Sequence, residues 1–132
     1  MVAGWHADRE NNSMTEQIKP VELKDRRIFS PERGLSRQVL AYSSQLMLVR
    51  HLMEKGWIGA RHSHPHEQLV YIVRGHIHFQ GGAATFDART GDSFVVPGGV
   101  EHQANAVEES EVLDIFTPVR EDYVRVDSEM NR

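Results

Sequence analysis

From residue 34 onward, apolar and polar positions alternate in short runs broken by turn residues, which is the pattern of a β protein. Ser36-Arg37-Gln38-Val39-Leu40-Ala41-Tyr42 predicts a strand, and Ser43-Ser44 turns the chain. Leu46-Met47-Leu48-Val49-Arg50-His51-Leu52-Met53 predicts a longer strand, apolar enough on both faces to be largely buried. After the turn Glu54-Lys55-Gly56 and a histidine-rich segment, Gln68 opens the run Leu69-Val70-Tyr71-Ile72-Val73, with Tyr71 expected in the core. His76-Ile77-His78-Phe79-Gln80 alternates cleanly, which sends Ile77 and Phe79 inward and both histidines to solvent. Gly81-Gly82 signals a hairpin into a weaker strand around Phe86. Ser93-Phe94-Val95-Val96 is a strand stopped by Pro97-Gly98-Gly99, and His102–Val107 and Glu111–Phe116 predict two more.

No helical period longer than two turns is present, and strands recur roughly every 8–12 residues, so an all-β barrel or sandwich is expected. One domain should span residues 34–124. Residues 1–33 read as an extension, partly disordered or with a short edge strand at Val21-Glu22-Leu23. Ser30-Pro31-Glu32-Arg33-Gly34 reads as a turn. Residues 125–132 form a charged tail, and the chain from Pro118 is expected to wrap the surface or fray. Trp5 is the one large aromatic of the extension's first half.

Composition narrows the chemistry. A chain of 132 residues suits one domain, and a net charge of −4 offers no electrostatic footprint for nucleic acid. With no cysteine, any metal must be held by nitrogen and oxygen. No signal-peptide core or membrane-length apolar run occurs, so a soluble cytoplasmic protein without membrane contact is expected. Of eight histidines, four fall between His51 and His66.

Those histidines are the main chemical signal. In extended backbone His62 and His64 share a face, Pro65 then turns the chain, and Gln68 opens the neighbouring strand. Two imidazoles and an amide oxygen can thus converge, with His102 as a fourth ligand. Four neutral ligands leave a divalent metal its full charge and one or two open positions. Nitrogen and oxygen ligation suits Zn, Ni, Mn, Fe or Co. The bland alternative is surface histidines near turns, with Gln68 an ordinary strand residue. His66 is a ligand by type but shares parity with His62 and His64 only if Pro65 leaves the strand straight, so it is expected in a supporting or exposed position. His51 is expected to line the barrel or its edge.

A carboxylate in the apolar run Val112-Leu113-Asp114-Ile115-Phe116 is the other signal. Period two puts Val112, Asp114 and Phe116 on one face, expected to be the interior, where Asp114 could carry a proton. The alternative is an edge carboxylate paired to an arginine. Arg120 could hold a substrate carboxylate in its fork or form a surface ion pair.

The spacing resembles the cupin superfamily. Gly56, His62, His64, Gln68 and Gly75 match its first motif, with glutamine where glutamate is usual. Gly91, Pro97, Gly99 and His102 match its second, although Asn105 falls one residue early. The resemblance implies a single-domain jelly roll, or double-stranded β-helix. Within the superfamily the chain resembles the KdgF-type pectin degradation proteins, through Gly34-Leu35-Ser36-Arg37, Leu46-Met47-Leu48-Val49, Glu54-Lys55-Gly56, His64-Pro65-His66-Glu67-Gln68 and the run from Leu113 to Asp122. That likeness implies an enzyme that converts 4,5-unsaturated monouronates, released by pectin and alginate lyases, to linear 5-keto-4-deoxyuronate. It implies one divalent metal, a small anionic sugar substrate, catalytic importance for the positions of Asp114, Phe116 and Arg120, and a homodimer. Two other readings stand beside it. One is a different cupin enzyme, such as an iron dioxygenase or sugar isomerase. The other is a non-catalytic sugar-binding sensor.

Overall fold

A computed structural model of the protein describes residues 17–130. Trp5 and the first half of the N-terminal extension lie outside the described residues. The strands are β1 (Phe29–Glu32), β2 (Leu35–Tyr42), β3 (Met47–Met53), β4 (Glu67–Arg74), β5 (His76–Gly81), β6 (Ala84–Arg89), β7 (Ser93–Val96), β8 (His102–Ala106) and β9 (Ser110–Thr117). One helix, α1 (Glu121–Met130), follows them. No helix among the described residues is long and apolar enough to cross a membrane.

The strands form two antiparallel sheets, one in the order β1-β2-β3-β9-β4-β7 and one in the order β6-β5-β8. The central strands β3 and β9 bury alternate residues, as their sequence pattern requires. In β3 the buried set is Met47, Val49, His51 and Met53; in β9 it is Ser110, Val112, Asp114 and Phe116. Leu35, Val70, Ile72 and Val112 of the large sheet pack with Ile77, Phe79, Ala88 and Ala106 of the small one into a single apolar core. A second cluster of Val39, Met47, Val49, Phe116 and Val119 lies at the other end of the large sheet, where Tyr123 and Val124 of α1 cover it.

Several local expectations are corrected. Val21-Glu22-Leu23 is no strand; a single 3-10 turn occupies Leu23–Asp25. Phe29–Glu32 pairs with β2, so the sheet begins ahead of Gly34, and Ser30 and Pro31 belong to a strand. Tyr71 is exposed, because the phase that points Gln68, Val70 and Ile72 inward must point Tyr71 outward. Residues 121–130 form a ten-residue helix where a surface wrap or fraying was expected. Its signals were Glu121 and Asp122 in the first turn and Tyr123, Val126 and Met130 at helical spacing. His76 and His78 do lie off the core face, half-buried and sharing Asp87.

Candidate functional site

Two separated segments meet to bring the histidines together. The backbones of His62 and His102 exchange hydrogen bonds, His62 N–H to His102 O at 3.0 Å and His102 N–H to His62 O at 2.8 Å. The segment 62–64 is otherwise outside any strand, held by this isolated bridge and by Gly99 N–H donating to His64 O at 2.8 Å. Gly98 allows this approach, since a Cβ there would lie 2.3 Å from Pro65 O. One ring nitrogen from each of His62, His64 and His102 then falls within 4.8 Å of the others. His66 is outside this group; its ring packs 5.5 Å from His64 and 6.4 Å from Phe116. Asn105 is on the opposite face of β8 from His102, Ala104 and Ala106, so it cannot join the site.

All three rings are oriented alike. Nδ1 of His62 is 3.0 Å from Ala60 O, Nδ1 of His64 is 3.0 Å from His66 O, and Nδ1 of His102 is 2.8 Å from Val100 O. A carbonyl only accepts, so each Nδ1 carries the proton and each Nε2 presents a lone pair, the tautomer a metal ligand needs. Burial holds His64 and His102 below the usual imidazole pKa, and the Arg120 charge adds to this at both. Nε2 of His102 is buried without any partner.

Gln68 is oriented by a chain of hydrogen bonds across four adjacent strands. Arg37 on β2 lies directly opposite His51 on β3, His51 is diagonal to Asp114 on β9, and Asp114 is diagonal to Gln68 on β4. Arg37 Nε donates to His51 Nε2 at 2.9 Å, which leaves the ring proton on Nδ1 to be donated to Asp114 Oδ2 at 2.6 Å. Asp114 Oδ1 accepts from Gln68 Nε2 at 2.8 Å. The Gln68 amide must therefore turn its oxygen to the histidines, where Oε1 lies 3.0 Å from His64 Nε2. Two acceptors face each other at that distance, with nothing between them to donate. A cation satisfies both lone pairs, and together with the orphaned His102 Nε2 this makes the donor set fit a divalent metal.

His51, His62, Gln68, His102 and Asp114 line a cavity of about 490 Å³ that also reaches Arg37, Trp57, Phe116, Arg120 and Tyr123. Asp114 and Phe116 face it from β9, as the strand phase predicts, and both are buried. Arg120 lies on the Phe116 ring at 5.1 Å and on the Tyr123 ring at 3.9 Å, and its Nη2 pairs with Asp122 at 2.8 Å. His51 lines the cavity, as expected from sequence, whereas its bonds to Arg37 and Asp114, and the places of Arg37, Trp57 and Tyr123 at the cavity, were missed there. For Arg37 and His51 the signal was present, because both lie on the inward phase of strands that were read correctly.

A model of the cupin domain matches residues 49–116, which is half of the chain. The chain is a cupin. Its architecture of two antiparallel sheets agrees with other cupins. It is 31% identical over 93 residues to the pectin degradation protein KdgF of Dickeya dadantii (strain 3937), a match covering 69% of this chain and 84% of that one. Among solved structures it superposes on KdgF from a Halomonas species with a TM-score of 0.77 at 29% identity, covering 81% of this cupin and 99% of that chain. An RmlC-like cupin from Shewanella frigidimarina NCIMB 400 matches with a TM-score of 0.76 at 33% identity, covering 81% and 96%.

Proposed function

We propose that this cupin is a metal-dependent enzyme of pectin or alginate breakdown that opens 4,5-unsaturated monouronates to linear 5-keto-4-deoxyuronate. The observation that carries the reading is the facing pair of acceptors at His64 and Gln68, with Gln68 bonded to a buried carboxylate, at a cavity that two arginines also line. His62, His64, Gln68 and His102 would hold one divalent ion, whose Lewis acidity would favour negative charge developing on a substrate oxygen. Likeness to the KdgF proteins supports the substrate class.

The reaction is an isomerisation, so atoms balance within the substrate. The anomeric hydroxyl loses its proton, C1 becomes a carbonyl, and the bond from C1 to the ring oxygen breaks. The electron pair left on that oxygen forms an enolate, which becomes the C5 ketone when C4 takes a proton. Asp114 is the group we assign to carry that proton. Both of its oxygens already accept a hydrogen bond, but each keeps a lone pair free. The protein-held N–H groups of His51 and Gln68 keep the carboxylate oriented through the cycle. Phe116 supplies an apolar wall for the sugar ring, and Arg120 draws the anion in. The chain is further read as a cytoplasmic homodimer. Leu69, Tyr71, Val95 and Ile115, adjacent in register on the outer face of the large sheet and exposed, support pairing. Sedimentation velocity tests it.

The decisive experiment follows ultraviolet absorbance of freshly made unsaturated monouronate. Ring opening removes the C4–C5 double bond conjugated to the carboxylate, so absorbance should decay faster with protein than without, and a chelator should abolish the difference. No acceleration by metal-loaded protein would reject this reading.

A further inference from the structure

Among the cavity's two arginines, the guanidinium edge without an acceptor is that of Arg37 rather than that of Arg120. Arg120 is already engaged: Nε and Nη2 donate to the two oxygens of Asp122 at 3.3 and 2.8 Å, and Nη1 donates to the Tyr123 hydroxyl at 3.0 Å. Arg37 is different. It faces inward from β2 between the buried Leu35 and Val39, and its guanidinium carbon sits 3.9 Å above the centre of the Tyr123 ring. Its Nε is bonded to His51, while its Nη atoms meet no acceptor and form no ion pair among the described residues. The acidic groups whose charge it feels, Asp122 and Asp114, are bonded to Arg120 and to His51 and Gln68.

Withdrawing a guanidinium from water costs hydration that an ion pair normally offsets. Arginine stays charged throughout the physiological range, so the charge is present in the cavity without a counter-ion on it. With Nε anchored and the plane resting on an aromatic ring, the Nη edge is prearranged for a planar two-oxygen acceptor. Arg37 lines the same cavity as His62, Gln68 and His102.

We propose that Arg37 receives the carboxylate of a compact sugar acid in this cavity, with Arg120 as a second cation beside it. The ligand's neutral, hydroxyl-bearing end is then directed to the histidine wall. This deepens the proposed function and rests on it for the identity of the sugar acid. It makes the site selective for a monoanionic sugar over its neutral counterpart.

The test uses full-length, chelator-treated protein and calorimetric titration with D-galacturonate, with D-galactose as the neutral control. Galacturonate should bind the wild type more tightly. Arg37→Met should weaken galacturonate about 10- to 100-fold and remove the preference, whereas Arg120→Met should retain part of it. His51→Leu, which breaks the bond to Nε but leaves the Nη edge on the Tyr123 ring, should also retain part of it. Should Arg37→Met fail to fold, NMR of the wild type reads the same point, because galacturonate should shift the Arg37 guanidinium signals more than those of Arg120. A preference that survives Arg37→Met, or Arg37 signals that stay still, would overturn the proposal. Absence of turnover on unsaturated monouronate with an Arg37-dependent preference intact would reject the reaction and leave the subsite standing.

Discussion

The two sides of the candidate metal site are built by different means. The histidine wall is local: each ring is held by a carbonyl two residues away, Ala60 for His62, His66 for His64 and Val100 for His102. The glutamine wall is held by residues on four strands, from Arg37 through His51 and Asp114 to Gln68. The first needs only short segments of correct spacing brought within reach. The second needs the sheet order β2-β3-β9-β4 and its register, because a slip of one residue in any strand turns its member to the outside. A carbonyl cannot be reversed, so the histidine tautomers are set wherever the loops form. The amide of Gln68 could face either way, and its direction depends on a permanent donor, Arg37, at the far end of the chain.

Substitutions can separate the two walls. Removing a ring is expected to have the largest effect: His64→Ala should abolish metal binding and turnover together, and a chelator should reproduce the loss in wild type. Metal analysis by mass spectrometry alongside the absorbance assay checks this. Asp114→Ala should lower turnover by roughly 10²–10⁴-fold, as expected for a lost proton carrier. Its metal affinity should fall less, by about 10–100-fold, since it also orients Gln68. Normal turnover in that variant would remove Asp114 from the chemistry.

His51→Leu should weaken metal binding within the same range of about 10–100-fold, although His51 is no ligand. Competition with a chromophoric chelator measures this, and cobalt loading should show an altered visible spectrum if the Gln68 oxygen has turned away. His51→Asn, which keeps an N–H toward Asp114, should recover much of the affinity; equal loss in both variants would mean that packing alone is at stake. At the apolar end, Ile72→Ala should cost about 2–5 kcal/mol of stability, seen in thermal unfolding, with metal affinity unchanged. Ile72 is fully buried in the same barrel but outside the chain of hydrogen bonds, so this variant shows whether the site senses core packing at all.

What could be read from sequence follows the same division. Strand positions and the inward phase of Asp114 and Phe116 were legible, because alternation with period two is a local property of the chain. His62 and His64 were legible as a pair through strand parity, and His102 joined them as a set through the resemblance to the two cupin motifs. Tyr71 was misplaced because five consecutive apolar residues carry no phase of their own; only Gln68 pointing inward assigns one. The helix at Glu121–Met130 was overlooked because its apolar stripe is short and becomes meaningful only over the cluster of Val39, Met47 and Phe116 that it covers.

By itself, then, the sequence determined the β architecture, the candidate metal-ligating residue types and the turns that flank them, all of which depend on interactions between near neighbours. Only the tertiary structure decided that Arg37 and His51 stand behind Asp114, that Gln68 turns its oxygen inward, and that Arg120 is tied to Asp122 while Arg37 is not. Those outcomes depend on which strands lie side by side and in what register. That is a property of long-range pairing, which no local pattern encodes.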